Sequence, residues 1–284
     1  MRRQFNLRLP SGCLELGKKT LIMGILNVTP DSFFDGGYYD KIDLAFKRGM
    51  QLEDEGADFI DIGGESTRPT RTQVLSVEEE TKRVVPIIEC LAKRLTIPIS
   101  VDTYKSVVAR QAINAGAEII NDISGLNFDS RMAELVFRSG VAIVLMHSRG
   151  RPEKLHDLTP LKYPLKSVIH RLGQSVKKAL QAGIHRDQLI IDPGLGFGKE
   201  TRDNLILLKK LHLMKHFHLP YLIGPSRKSF IGQVLELPVK ERLLGTLASI
   251  AVSVTKEVHV VRVHDVKETK QVVKLCDAIF NVKG

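Results

Sequence analysis

The sequence predicts an α/β fold, a (β/α)8 TIM barrel with an N-terminal β-hairpin, on three observations. Short apolar runs recur, each ending on a polar residue or glycine and leading through a loop into a helical stretch; LIIDPGLGFGKE, residues 189–200, shows this most fully. There Leu189, Ile190 and Ile191 read as a buried strand, Asp192 ends it, and Pro193 lacks the donor to continue pairing. Gly194, Gly196 and Gly198 then let the backbone approach whatever Asp192 faces. The second observation is a shared helix ending: EDEGADFI, INAGAEII, FRSGVAIV and LQAGIHRDQLI place Gly56, Gly116, Gly140 and Gly183 where a left-handed residue closes a helix before the next strand. The third is number, since eight such units with right-handed crossovers close into a barrel. The 284 residues contain no linker, so residues 1–284 read as one domain, 1–20 the hairpin and 21–284 the barrel.

Taken in order, Phe5, Leu7 and Leu9 alternate, Pro10-Ser11-Gly12 turns, and Leu14 and Leu16 alternate back, a hairpin able to plug one barrel end. Leu21–Leu26 is the first barrel strand, ending at Asn27, and the long loop VTPDSFFDGGYYD suits a lid before a helix over Asp43–Glu55. Phe59–Ile62 follows and leads into GGESTRP; Ser76 and Glu79 then signal a capped helix that Pro86 should bend. Strands three to five are Ile97–Val101, Ile119–Ile120 and Val141–Met146, ending at Asp102, Asn121-Asp122 and His147. The connection Ser148–Pro164 is oversized and suits a second lid or a dimer contact. Strand six is Leu189–Ile191, with a helix over Glu200–Lys215; strands seven and eight are Tyr221–Ile223 and Val258–Val263. The last two lead into Gly224-Pro225-Ser226-Arg227-Lys228 and into His264-Asp265.

Composition narrows the function. Hydrophobic content of 43% supplies ample core, and no apolar run reaches the roughly 18 residues a membrane span requires. The basic N-terminus lacks the apolar stretch of a secretion signal, and Cys13, Cys90 and Cys276 form no metal-ligand pattern, so a reduced, cytoplasmic setting is expected. Cys90 reads as helix packing rather than as a nucleophile. A net charge of +10 raises nucleic acid as a partner, but the basic residues are scattered on helical faces without interleaved aromatics, which favours a small anion.

In a closed parallel barrel the active site lies at the carboxyl ends of the strands, so the strand-end residues converge on one rim. Asp102, Asn121 and Asp192 offer acceptors and an amide; Arg68, Lys228, Arg262 and His264 offer cationic donors. The ligand should combine a flat, donor-rich edge for a carboxylate with an anion such as phosphate near strands seven and eight. Taken singly, Asp102 and Asp192 are equally well read as helix caps, and Asp265 as a cap of the last helix. Asp61 reads as a buried carboxylate satisfied by a neighbouring strand, His147 as filler of the barrel mouth, and Arg227-Lys228 alone as a surface pair.

Seven stretches resemble one family, in order and over nearly the whole chain from about residue 20: LNVTPDSFFDGG, DIGGESTRP, SVDT, NDISG, DPGLGFGK, GPSRKSFIG and RVHDV. They are similar to the motifs of the dihydropteroate synthases, pterin-binding barrel enzymes. The resemblance implies condensation of 6-hydroxymethyl-7,8-dihydropterin diphosphate with 4-aminobenzoate to 7,8-dihydropteroate and diphosphate, through a dissociative pterin cation. It assigns Asp102, Asn121, Met146, Asp192, Gly224 and Lys228 to the pterin, with Asp102, Lys228 and Arg262 catalytic. It assigns Asn27, Arg262 and His264 to the diphosphate, Asn27 also to Mg2+, and Thr67, Arg68, Pro69, Phe197 and Ser229 to the aminobenzoate. A cytoplasmic homodimer is the family expectation. Thr70-Arg71 stands where relatives often carry Gly-Ala, which would stiffen the second loop. A pterin-binding domain of a folate-dependent methyltransferase fits less well, because the chain has no room for a cobalamin domain. A silent binding module should have lost Arg68, Lys228 or Arg262, and all three are present.

Overall fold

The computed structural model describes residues 2–28, 38–65, 74–155 and 161–282. β1 (Phe5–Leu9) and β2 (Gly12–Leu16) form the antiparallel hairpin, with Phe5 opposite Leu16 and Leu9 opposite Gly12. Eight parallel strands follow: β3 (Leu21–Asn27), β4 (Phe59–Gly63), β5 (Ile99–Asp102), β6 (Ile119–Asp122), β7 (Ala142–Met146), β8 (Leu189–Asp192), β9 (Leu222–Ile223) and β10 (Val260–Val263). Their order is β8-β7-β6-β5-β4-β3-β10-β9, and the two ends meet. Ile191 bridges Tyr221 in parallel, and the Ile191 N–H donates to the Pro220 carbonyl at 3.0 Å, closing the ring.

The helices around it are α1 (Tyr38–Asp54), α2 (Val77–Ala92), α3 (Ser106–Asn114), α4 (Met132–Ser139), α5 (Pro164–Gln181), α6 (Thr201–Lys209), α7 (Ser229–Leu235), α8 (Leu243–Val254) and α9 (Val266–Asn281). The four closing glycines all take positive φ, from +72° at Gly140 to +115° at Gly116. Ser76 caps α2 by accepting from the Glu79 N–H at 3.1 Å, and Pro86 lies inside that helix.

Three elements differ from expectation. α1 begins at Tyr38, five residues before the predicted Asp43. The predicted helix over Glu200–Lys215 stops at Lys209, and Leu211–Phe217 continues as a 3-10 helix. Leu211 and Met214 are buried and Phe217 is half-buried, spaced by three, and three residues per turn puts them on one face. β9 has only two residues because Pro220 and Pro225, which cannot donate to a ladder, flank it. Two helices, α7 and α8, follow it instead of one. Cys90 is exposed rather than packed in a helix interface, and none of the three cysteines is paired.

Within each strand, alternate residues face opposite sides. Ile22, Ile60, Ile120, Ile143, Ile191, Ile223 and Val261 join the large core beneath the helices. Met23, Phe59, Ile119, Val144, Ile190, Leu222 and Val260 turn inward and form a separate cluster with Leu7, Leu9 and Leu16 of the hairpin. The hairpin therefore plugs the amino end of the barrel. One step of two residues further along the inward faces brings Asp61, Asn121, Met146, Asp192, Gly224 and Arg262 to the opposite end.

Candidate active site

Arg262 organises the carboxyl rim. Its Nε donates to Asp61 Oδ2 at 2.5 Å and its Nη2 to Asp102 Oδ2 at 2.7 Å. Asp61, fully buried, also accepts from Ser100 Oγ at 2.7 Å and Asn121 Nδ2 at 2.9 Å, so it is satisfied by neighbouring strands as expected. Four strands are thus tied through one carboxylate. Burial works to lower the Arg262 pKa, but Asp61 and Asp102 outweigh it and hold the guanidinium above its ordinary value. Asp102 is pushed up to about 7, by burial first; Arg262 opposes the shift, while Asp61, Glu80 and Glu65 add to it. The acids and bases of the rim therefore pair with each other here and do not divide into separate halves. Asn121 spends its amide N–H on Asp61, which leaves Oδ1 as a buried acceptor without a partner among the described residues.

The second cluster is built by the glycine-rich loop after β8. Asp192 is buried, and its Oδ1 accepts from the Gly194 N–H at 2.7 Å. Burial raises its pKa, with Lys228 the chief opposing influence. Gly194 has φ +67°, and a Cβ there would stand 2.0 Å from the His147 carbonyl oxygen, so only glycine fits. Lys228 reaches in from the start of α7, donates to the Leu195 carbonyl and lies 4.7 Å over the Phe197 ring centroid. Burial pulls its pKa down to about 8, against Asp192 and Asp102. A Cβ on Gly224 would be 3.7 Å from Arg262 Cβ and 3.9 Å from Lys228 Nζ, so a small residue keeps that floor open. Met146 and Phe197 pack with Tyr104, Ile123 and Phe128 in a small apolar cluster apart from the main core. Tyr104 and Phe128 meet edge to face, with ring centroids 5.5 Å apart.

The third group is Asn27, Ser226 and His264. Asn27 Nδ2 lies 3.3 Å from His264 Nε2, and Ser226 Oγ lies 2.9 Å from His264 Nδ1. Asn27 Oδ1 and the Asp102 side chain flank Gly63, at 3.7 and 3.5 Å from where its Cβ would be. Ser229, the first residue of α7, is exposed beside Lys228. Thr67, Arg68 and Pro69 lie outside the described residues. Asp265 makes no side-chain cap on α9; it takes a two-point bond from Arg227 at 2.8 and 2.9 Å, so Arg227 is not a free surface cation. His147 is buried, both ring nitrogens lack partners among the described residues, and burial pushes its pKa down to about 2.

The geometry brings Asn27, Asp102, Asn121, Met146, Asp192, Phe197, Gly224, Lys228, Arg262 and His264 to a single mouth. Sequence reasoning missed Tyr104, Ile123, Phe128, Ser226 and Lys199. Lys199 carried a signal, as the one lysine inside DPGLGFGK; the aromatic residues carried none, because their approach is set by loops after different strands.

A barrel whose rim sets buried acids, a free amide acceptor and desolvated cations around an apolar floor belongs to a class that binds a flat polar heterocycle. The profile of the pterin binding enzymes matches residues 23–264. Dihydropteroate synthase of Bacillus subtilis is 47% identical over 272 residues, 95% of this chain and 92% of that protein. That of Clostridium beijerinckii is 44% identical, over 96% and 99%. A solved Xanthomonas albilineans dihydropteroate synthase with 4-aminobenzoic acid superposes with a TM-score of 0.92 at 37% identity, covering 99% of this chain and all of the other. One from Clostridium difficile in the presence of pteroic acid gives 0.88 at 40% identity, over 94% and 99%. The chain therefore belongs to the pterin-binding enzyme family. Within it, the chain stands among the dihydropteroate synthases, transferases of folate synthesis.

Proposed function

We propose that the chain condenses 6-hydroxymethyl-7,8-dihydropterin diphosphate with 4-aminobenzoate, releasing diphosphate and 7,8-dihydropteroate. The observation that carries this reading is the unpartnered Asn121 Oδ1 set among Asp102, Asp192 and Lys228 over the Met146–Phe197 floor. A pterin edge offers amino and ring N–H donors to the acids and to that oxygen, and its carbonyl and ring nitrogen accept from Lys228. Solved relatives with 4-aminobenzoic acid or pteroic acid support both halves of the substrate pair.

In this reading the carbon–oxygen bond to diphosphate breaks before the amine arrives, and a cation develops on the pterin methylene. Asp102, as carboxylate, stabilises that charge; one preorganised group in a dry site is worth about 3 kcal/mol in the barrier. Diphosphate approaching Arg262 gives the guanidinium an anionic partner in place of Asp102 and frees the carboxylate for the cation. Asn27 and His264 hold the remaining phosphate oxygens, and Thr67, Arg68, Pro69, Phe197 and Ser229 receive the aminobenzoate. Among the described residues no group of three or more His, Cys, Asp or Glu forms a metal cage, while Asn27 donates through Nδ2 and keeps Oδ1 available. That donor fits Mg2+, which retains water and phosphate oxygens and needs only one or two protein oxygens. When bound, Mg2+ offsets charge on the departing diphosphate.

Incubating the protein with both substrates and Mg2+ tests the proposal: diphosphate release that depends on 4-aminobenzoate is expected. Release without the amine, or none at all, would overturn it and favour another pterin-family reading. We place the enzyme in the cytoplasm, in keeping with three unpaired cysteines and with the absence, among the described residues, of any helix long and apolar enough to cross a membrane. We also assign a homodimer through the mutually packed α6, α7 and α8, which expose Leu205, Val234, Leu235, Leu244 and Val252. Leu244→Glu should yield monomers by sedimentation.

A further inference from the structure

The glycine-rich loop is held from behind as well as from the mouth. Lys199 is buried, and its ammonium donates to three carbonyls: Gly194 at 2.6 Å, Phe197 at 3.2 Å and His147 at 3.3 Å. Three N–H donors thus meet three acceptors, which is the full capacity of a lysine. His147 directly follows the last residue of β7, so Lys199 stitches the loop to the end of a neighbouring strand. Asn204, on α6 and 1% exposed, completes the grip: its Oδ1 accepts from the Gly196 N–H at 2.7 Å, while its Nδ2 donates to the carbonyls of Lys199 at 3.2 Å and Glu200 at 2.9 Å. Among the described residues no salt bridge neutralises Lys199, and burial, then Lys228, pulls its pKa well below the ordinary value. A buried ammonium is costly unless its donors are all used, so its presence calls for a structural return.

That return is at the front of the loop. Phe197, whose carbonyl Lys199 holds, carries the ring beneath Lys228, and Leu195, between the gripped Gly194 and Gly196, carries the carbonyl on which Lys228 rests. A Cβ on Gly196 would stand 3.0 Å from Lys228 Cδ, so the loop and the lysine already touch. Any movement of this loop moves the Phe197 ring and the seat of Lys228 together.

We propose that Lys199 and Asn204 are positioning residues that clamp the Gly194–Gly198 loop and thereby fix Phe197 and Lys228 against the substrates. The proposal rests on the condensation reading above. Neither side chain touches the reacting atoms; both act through the loop.

The test compares wild type with Lys199→Met, Lys199→Arg and Asn204→Ala in the coupled diphosphate assay, with thermal unfolding of each. Wild-type activity on both substrates settles the underlying reading first. Lys199→Met should then raise KM for the pterin diphosphate by about ten- to a hundredfold, the scale expected when a reacting group is misplaced by about 1 Å. The kcat should fall less. Lys199→Arg should not rescue, because a planar fork cannot serve three convergent carbonyls in place of a tetrahedral ammonium. Combining Lys199→Met with Phe197→Ala should give less than the product of the single effects, since both act through one ring. Asn204→Ala should raise the same KM in a chain that keeps its ammonium clamp, which keeps the test open should Lys199→Met fail to fold. Unchanged KM in the folded variants, full rescue by arginine, or multiplicative effects with Phe197→Ala would overturn the clamp.

Discussion

The two ends of the barrel are built from the same strands yet follow opposite physical rules. At the amino end Met23, Phe59, Ile119, Val144, Ile190, Leu222 and Val260 close on Leu7, Leu9 and Leu16 of the hairpin, and stability there comes from area removed from water. Two residues further along the strands, the inward positions become Asp61, Asn121, Met146, Asp192, Gly224 and Arg262. There every buried charge needs a partner. Asp61 draws on Ser100, Asn121 and Arg262, and Lys199 draws on three backbone carbonyls. Depth along the strand, more than the identity of the strand, decides whether a residue supports the fold or faces a ligand. A hydrophobic plug frees the other mouth to be polar.

The comparison is broken most severely at Arg262. Arg262→Met would leave the buried Asp61 and the half-buried Asp102 without their shared cation, and removing one partner of a buried pair costs about 3–5 kcal/mol. Urea unfolding should show that loss, and condensation should fall below detection. If Arg262→Met keeps wild-type stability, the rim is not held by pairing and the contrast fails. Asp102→Asn is gentler on the fold, because the amide retains the shape and an oxygen for Arg262. Turnover should nonetheless drop by about 10²- to 10³-fold while pterin binding weakens far less, read by steady-state kinetics beside direct titration. Unchanged turnover would remove the cation-stabilising role of Asp102.

At the other end the same logic predicts a separation of stability from activity. Leu7 is 1% exposed within the plug, so Leu7→Ala should cost about 2–5 kcal/mol in urea unfolding. Its kcat and KM should stay at wild-type values at temperatures where it is folded. An altered KM would show that the plug also shapes the mouth.

How much of this was legible in the sequence follows from the range of each interaction. Strands, closing glycines and the strand-end positions are local patterns, and the barrel follows from repeating them. Asp102, Asn121, Asp192, Lys228 and Arg262 could be placed on one rim by topology alone. That Arg262 spans Asp61 and Asp102 could not be read, because residues 61, 102 and 262 meet only when the ring closes. Residues 211–215, the start of a 3-10 run, read from sequence as a continuation of the helix from Glu200, because apolar residues spaced by three fit either period over so short a stretch. Tyr104 and Phe128 were missed because an aromatic residue in a loop looks the same whether it covers a core or floors a site.

The smallest predicted effect tests the electrostatics of the rim through pH. In the free enzyme Asp102 titrates at about 7 and must be charged, while Lys228 titrates at about 8 and must keep its proton to donate to the pterin. The profile of kcat/KM should therefore be a narrow bell, rising through about 7 and falling above about 8, because that ratio reports the free enzyme. Stability should move the other way on the alkaline side. Lys228 sits near 8 when folded against its ordinary 10.5, so between these values the unfolded chain binds more protons and folding gains as pH rises. Lys228→Gln removes that dependence, so its stability advantage over wild type should shrink between pH 8 and 10.5. Leu7→Ala introduces no titrating group and should keep a constant deficit across the same window. A deficit that varied with pH as strongly as the Lys228→Gln difference would place ionisation at the apolar end, and the division between the two ends would not stand.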